Sequence, residues 1–322
     1  MSAILITGGA GFIGSTLAER LLERGESVVV LDDFCDRYAP ALKRHNVSGL
    51  EQHDRGVLIE GDVRDLDTIV KTMDTHDVSR VVHLAAHAGV SPSLKDPFLY
   101  QDVNLNGTLS VLEACRRCGC QNLLVASSSS VYGDSSTPPF REDEAADHPI
   151  SPYAATKRSV ELMCYTYHHL YGLPITCFRF FTVYGPRQRP DMAFHIFARH
   201  ISQDLPIRMY GDGSTRRDYT FISDIIDGLA TAVDRPQDYE IVNLGNTKTV
   251  ALATALDIVQ SAFGKSAVIE AHPERPGDVK MTNADIEKAR RLYGYEPRVD
   301  IEEGMQRFAE WYQDAVARGV LK

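Results

Sequence analysis

No apolar run in the 322-residue chain approaches the roughly 18 residues of a membrane span. Its start enters a strand pattern without signal-peptide architecture, so the expectation is a cytoplasmic protein with no membrane partner. A basic stripe is also missing. The chain has 34 Lys and Arg against 44 Asp and Glu, a net charge of −10, which argues against nucleic acid as a partner. That average does not exclude a small anionic ligand, because a few placed arginines can override it. Cysteine is sparse, at positions 35, 115, 118, 120, 164 and 177. The spacing Cys115-x-x-Cys118-x-Cys120 has no second Cys/His pair nearby, so reduced, partly buried thiols are expected and no metal. Repeats and low-complexity tracts are absent, and 43% hydrophobic residues exclude a disordered chain.

What is present is alternation. At about 150 residues per domain, the length suggests two domains, or one large lobe with a smaller one appended. Ala3–Thr7, Ser27–Asp32, Val57–Glu60, Arg80–Ala85, Asn122–Ser127 and Ile175–Phe181 read as strands. Helical periodicity fits Phe12–Arg24, Asp65–Met73, Phe98–Cys118 and Pro152–Tyr171. Such alternation predicts an α/β fold with a doubly wound parallel sheet covered on both faces. After about Thr182 the chain becomes loop-rich, with helices over Ser223–Asp234, Ala251–Phe263, Asn283–Tyr293 and Ile301–Ala315. The expected division is residues 1–182 for the first lobe and mainly 183–322 for a smaller α/β lobe, with one re-entry into the first around 220–250.

Glycines stand at 8, 11 and 14, between the first strand and the first helix. They permit a tight turn and close backbone approach, and the helix N-terminus then faces a pyrophosphate. Asp32, followed by Asp33, ends the next strand 18 residues after Gly14, where a carboxylate suits an adenosine ribose diol and repels a 2′-phosphate. NAD is therefore the expected cofactor, on a Rossmann-type sheet. Phe12 and Ile13 at the helix start, Asp62 and Val63 after the third strand, and Leu84, Ala85 and Ala86 after the fourth complete the expected cradle.

Tyr153 and Lys157, four apart, share one face of a helix that Ser151 and Pro152 open. A phenol titrates near 10; a neighbouring ammonium and a positively charged nicotinamide would lower that and let Tyr153 act as a base on an alcohol. Ser127 to Ser130 close the fifth strand, where open parallel sheets place ligands, and a hydroxyl there could hold the reacting oxygen.

With these motifs the chain resembles the extended short-chain dehydrogenase/reductase family, in particular its NAD-dependent sugar-nucleotide epimerases and dehydratases. The resemblance runs through Thr7-Gly8, Gly11, Gly14, Leu84-Ala85-Ala86, Ser128, Val131-Tyr132-Gly133, Tyr153, Lys157, Arg217-Asp218-Tyr219 and Arg275-Pro276-Gly277-Asp278. It implies a catalytic group of Ser128, Tyr153 and Lys157, a structural Asn104 near the lysine, and Phe181 beside the nicotinamide. It also implies a homodimer joined by a helix bundle near 104–115 and 152–171.

The resemblance further bears on the substrate. Dehydratases of this family carry Asp-Glu after the catalytic Ser, and decarboxylating members a Glu. Here Ser129 and Ser130 stand there, which favours hydride removal and return at one carbon. The stretch 179–193 is similar to UDP-glucuronate 4-epimerases, which implies conversion of UDP-glucuronate to UDP-galacturonate through a 4-keto sugar. Ser128, Ser129, Ser130 and Thr182 would surround the carboxylate, with Arg189 and Met192 nearby. Arg217 and Arg275 would meet the diphosphate and Asp278 the uridine ribose, with Tyr210 a further expected substrate contact. A 4-keto hexuronate is a β-keto acid, and hydroxyl donors can hold its carboxylate out of the alignment that releases CO2. Alternatives are UDP-glucose or UDP-N-acetylglucosamine 4-epimerase, which a small Thr282 leaves open, and a nonenzymatic NAD-sensing protein. Two positions depart from the pattern: Ser91 replaces a frequent Arg, and His87 a frequent Gln or Met.

Overall fold

The computed structural model describes residues 2–134, 137–274 and 279–321. Its first half runs β1 (Ala3–Thr7), α1 (Phe12–Glu23), β2 (Val28–Asp32), α2 (Pro40–Asn46), β3 (Gly56–Glu60), α3 (Leu66–Thr75) and β4 (Val78–His83). Short helices α4 (Val90–Ser93) and α5 (Pro97–Gln101) and a wide π-type turn (Asp102–Asn106) lead into α6 (Gly107–Cys118) and β5 (Asn122–Ser128). Then come α7 (Pro152–Tyr171), β6 (Ile175–Phe180), β7 (Thr182–Tyr184), α8 (Ala193–Ser202) and β8 (Pro206–Tyr210). The remainder is β9 (Arg216–Phe221), α9 (Ile222–Val233), β10 (Tyr239–Leu244), β11 (Thr249–Ala251), α10 (Leu252–Phe263), β12 (Val268–His272), α11 (Glu287–Tyr293) and α12 (Ile301–Ala317).

Seven parallel strands form the main sheet in the order β10-β6-β5-β4-β1-β2-β3. The chain reverses direction of travel between β1 and β4, which opens a crevice at their carboxyl ends. Side chains alternate across each strand and feed two cores. Ile4, Ile6, Val28 and Val30 pack with Leu17 and Leu21 of α1 and Ile225 and Ile226 of α9. Leu5, Val29, Leu31 and Val81 pack on the other face with Ile69 of α3, Val111 of α6 and Val160 of α7. Continuous apolar strands such as Val-Val-Val-Leu at 28–31 are what two covered faces require. Two smaller sheets, β11-β9-β7 and β12-β8, lie in the second half.

Several boundaries differ from expectation for local reasons. β4 stops at His83 because Leu84 and Ala85 cross directly over Gly8, where a Cβ would lie 2.6 Å from the Ala85 nitrogen. The helix expected over 98–118 is interrupted by the π-type turn, which carries Asn104 inward. The helix expected from Asn283 starts at Glu287, because Asn283 and Asp285 instead bond the Phe140 backbone at 2.7 and 3.0 Å. Among the described residues no helix is long and apolar enough to cross a membrane. No group of three His, Cys, Asp or Glu converges among them, and all six cysteines are free.

Candidate active site

At the carboxyl ends of β1 and β4 lies a cavity of about 430 Å³. Gly8 (φ +67°) turns the chain out of β1, and a Cβ on Gly14 would meet the Gly8 oxygen at 2.5 Å. Both positions need glycine because backbone passes backbone there. Gly11 caps α1 without offering a side chain to its first turn, so those N–H groups face the cavity beside Phe12 and Ile13. This is the shape a dinucleotide pyrophosphate requires.

Asp32 is buried at the end of β2. Its carboxylate accepts the Ala10 N–H at 3.1 Å, the Phe34 N–H at 2.9 Å and the Lys43 ammonium at 3.3 Å. A carboxylate has about four acceptor positions, so room remains for a ribose hydroxyl. Lys43, on α2, also lies 3.8 Å from Asp33. Sequence reading missed Lys43; Pro40 is a local helix-start signal, but nothing in the local sequence shows that the helix returns over Asp32.

Ser128, Tyr153 and Lys157 line the same cavity, together with Phe181, Leu84, Ala85, Ala86 and Val63. Ser151 accepts the Ala154 N–H at 3.1 Å and starts α7, which places Tyr153 in its first turn. Burial pushes the Tyr153 phenol up, while a hydrogen bond with Ser128 and the charge of Arg189 pull it down. Lys157 donates to the Ala126 carbonyl at 2.7 Å, and burial lowers it to about 8. Arg189 thus adds a second positive charge near Tyr153 beside the Lys157 ammonium one helical turn away.

Below these groups lies a buried polar layer. Glu161, one turn after Lys157, accepts Ser127 at 2.6 Å, Arg179 at 2.8 Å through two nitrogens, and Arg158 at 2.9 Å. Asn104 bonds both the N–H and C=O of His87, at 2.8 and 3.0 Å, and Thr156 at 3.0 Å, so it ties the loop after β4 to α7. His83 bridges Thr7 at 2.7 Å and Thr108 at 3.0 Å. Burial, with Lys157 nearby, lowers His83 to about 3. His87 itself lines the cavity, where burial and the charge of Arg37 push its pKa down.

At the other end, Ser129, Ser130, Thr182, Arg189 and Met192 share the cavity wall. Asp62 is turned away: its carboxylate pairs with Arg64, whose hydrogen bonds hold it below the usual carboxylate range. Asn104, Tyr210 and Arg217 are likewise not on the wall. Tyr210 packs on His272 at 5.4 Å, and Arg217 donates to the Arg216 carbonyl at 2.9 Å. Arg275 and Asp278 lie outside the described residues. Beside Arg217, Asp218 is fully buried; it gathers N–H groups of Asn246, Thr247 and Ala284 at 2.7 to 3.0 Å, and burial raises it to about 6. Four Lys and Arg side chains line the cavity (Arg37, Lys43, Lys157, Arg189) against two carboxylates, Asp32 and Asp33. The site is locally cationic in an acidic chain.

A sequence family described as GDP-mannose 4,6 dehydratase matches residues 5–308. The chain belongs to this family of extended short-chain dehydrogenases/reductases. This family member is 42% identical over 317 residues to the UDP-glucuronate 4-epimerase of Thermodesulfobacterium geofontis, covering 98% of each chain. It superposes with a TM-score of 0.92 and 37% identity on UDP-glucuronic acid 4-epimerase from Bacillus cereus, solved with UDP-glucuronic acid and NAD, over 97% of this chain and 99% of that one. The UDP-glucose 4-epimerase of Thermotoga maritima, with UDP-glucose, gives 0.88 and 30%, over 98% and 99%.

Proposed function

We propose that the chain is an NAD-dependent 4-epimerase that interconverts UDP-glucuronate and UDP-galacturonate. The observation that carries this reading is the placement of carboxylates. Among the described residues lining the cavity, the only acids are Asp32 and Asp33, at the end of β2. Around Ser128, Tyr153 and Lys157 the wall offers hydroxyls (Ser129, Ser130, Thr182) and Arg189. Such a wall can grip an anionic sugar and lacks the acid that water elimination would need.

The glycine turn, the α1 N-terminus, Asp32 with Lys43, and Phe181 would hold NAD, which accepts a hydride from C4 of the sugar and returns it. Tyr153 takes the 4-hydroxyl proton and later gives it back. Ser128 holds the oxygen on which charge develops. Lys157, one helical turn away, favours the phenolate. The serines, Thr182 and Arg189 keep the carboxylate of the 4-keto sugar away from the orientation that would release CO2. Rotation of the keto sugar about its diphosphate link presents its other face before the hydride returns.

Homodimerisation and a cytoplasmic location belong to the same reading. Leu109 on α6 and Leu162 and Tyr165 on α7 are exposed apolar side chains that a second copy would cover. Buried free thiols at Cys115, Cys164 and Cys177 suit a reducing compartment. Incubating the protein separately with UDP-glucuronate, UDP-glucose and UDP-N-acetylglucosamine, without added reductant, tests the substrate. UDP-galacturonate should form in the first arm. Turnover of the neutral sugars alone, or release of CO2 and a UDP-pentose, would overturn the reading. Sedimentation of wild type and Leu162→Glu tests the dimer.

A further inference from the structure

Arg189 does not reach into the cavity unengaged. Its Nε and Nη2 grip Asp191 at 3.0 and 3.2 Å, a two-point clamp that must open before that same edge of the guanidinium can grip a ligand carboxylate. Opening it would leave Asp191 without a counter-charge were it not for a second cation. Arg37, in the loop after β2, reaches across the cleft and bonds Asp191 through Nη2 at 3.0 Å. That nitrogen also holds the Ala88 carbonyl at 3.0 Å, and Ala88 is held again by the Tyr100 hydroxyl at 3.0 Å. Gly89 permits this approach: a Cβ there would lie 3.3 Å from Arg37 Nη2.

Arg37 also leaves one donor unused. Its Nε is buried and has no hydrogen-bond partner among the described residues. Buried donors of this kind are costly, so the present one-point contact with Asp191 is not the best that Arg37 can make. A two-point grip through Nε and Nη2 would satisfy it. The two arginines together already hold Asp191 below the usual carboxylate range against a burial that pushes it up.

We propose that Asp191 is an internal stand-in for the carboxylate of the bound sugar, and that Arg37 takes Asp191 over when Arg189 exchanges it for that carboxylate. The inference rests on the hexuronate reading above. No covalent step is involved: Arg189 exchanges the Asp191 carboxylate for that of the sugar while Arg37 keeps Asp191 paired, so two cations that share one anion come to hold one each. Arg37 is thus a positioning residue that sets affinity for an acidic sugar without touching it.

The test is titration calorimetry of the NAD-loaded protein with UDP-glucuronate, UDP-glucose and UDP, on wild type, Arg37→Gln, Arg37→Lys, Asp191→Asn and the double variant Arg37→Gln/Asp191→Asn. Wild type should bind UDP-glucuronate more tightly than UDP-glucose. Arg37→Gln should weaken UDP-glucuronate by about five- to tenfold, the size expected for a partly buried ion pair, and leave UDP within about twofold. Adding Asp191→Asn should restore UDP-glucuronate to near the wild-type value, and Arg37→Lys should restore part of it. An equal loss for UDP would mean a general field effect, and absence of rescue by Asp191→Asn would mean a structural role; either overturns the exchange. Equal wild-type affinity for the acidic and neutral sugars would also overturn it. Wild-type discrimination without turnover would instead leave the exchange standing and remove the epimerase reading.

Discussion

Ser127 and Glu161 are joined by a buried hydrogen bond of 2.6 Å. It secures the end of β5 to the middle of α7, so the strand that delivers Ser128 and the helix that delivers Tyr153 and Lys157 move as one body. Arg179 completes the join from β6, gripping the same carboxylate while its guanidinium lies 4.6 Å from the Tyr132 ring centroid.

Glu161→Gln should therefore be costly. It leaves Arg179, only 1% exposed, beside a neutral amide. Removing one partner of a buried ion pair costs about 3–5 kcal/mol, and a loss of that order is expected in urea denaturation. A loss below about 1 kcal/mol would refute the structural weight given to this pair.

Tyr153→Phe should lower turnover by about 10²- to 10⁴-fold, the usual worth of a positioned general base. The phenol does not hold the glycine turn, so the variant should still release NAD on denaturation, quantified by absorbance of the released cofactor. Unchanged turnover would remove Tyr153 from the chemistry.

His83 sets a pH dependence of stability. In the folded protein it titrates near 3, between two threonines; in the unfolded chain a histidine titrates near 6.5. Between those values the unfolded chain binds more protons, so the stability His83 contributes above pH 6.5 is lost as pH falls. From pH 7 to pH 5 wild type should lose about 2 kcal/mol more than His83→Asn, each pKa unit being worth about 1.4 kcal/mol. Parallel denaturation curves at the two pH values for both proteins would contradict this.

The glycines should separate by function. In Gly14→Ala the new methyl would sit 2.5 Å from the Gly8 oxygen, so both thermal stability and NAD binding should fall. In Gly11→Ala the nearest atom is 3.2 Å away, so the melting temperature should hold while NAD binding weakens, because the methyl intrudes on the ligand side. Equal melting temperatures for the two variants would show that the Gly14 contact can relax.

Much of the site was readable because its signals are local. The glycine turn, Asp32 at a strand end, and the Ser151-Pro152 start of α7 depend on backbone geometry within a few residues. Periodicity likewise marked the strands and helices of the main sheet, apart from the short helices α2 and α4 and the edge strand β10. The interruption of the 98–118 helix escaped, because the side chain that accompanies it, Asn104, bonds partners 17 and 52 residues away.

The sequence alone determined the chemistry available: a phenol and an ammonium one turn apart, a run of hydroxyls where acids could have stood, and a turn only glycine can make. Tertiary structure decided how those charges are paired. Lys43 on Asp32, Arg179 on Glu161 and Arg37 on Asp191 are joined across separate elements or loops, and spacing along the chain carries no record of those partners; only the Arg189–Asp191 contact is local. Ion pairing depends on distance in space and on burial, and folding sets both.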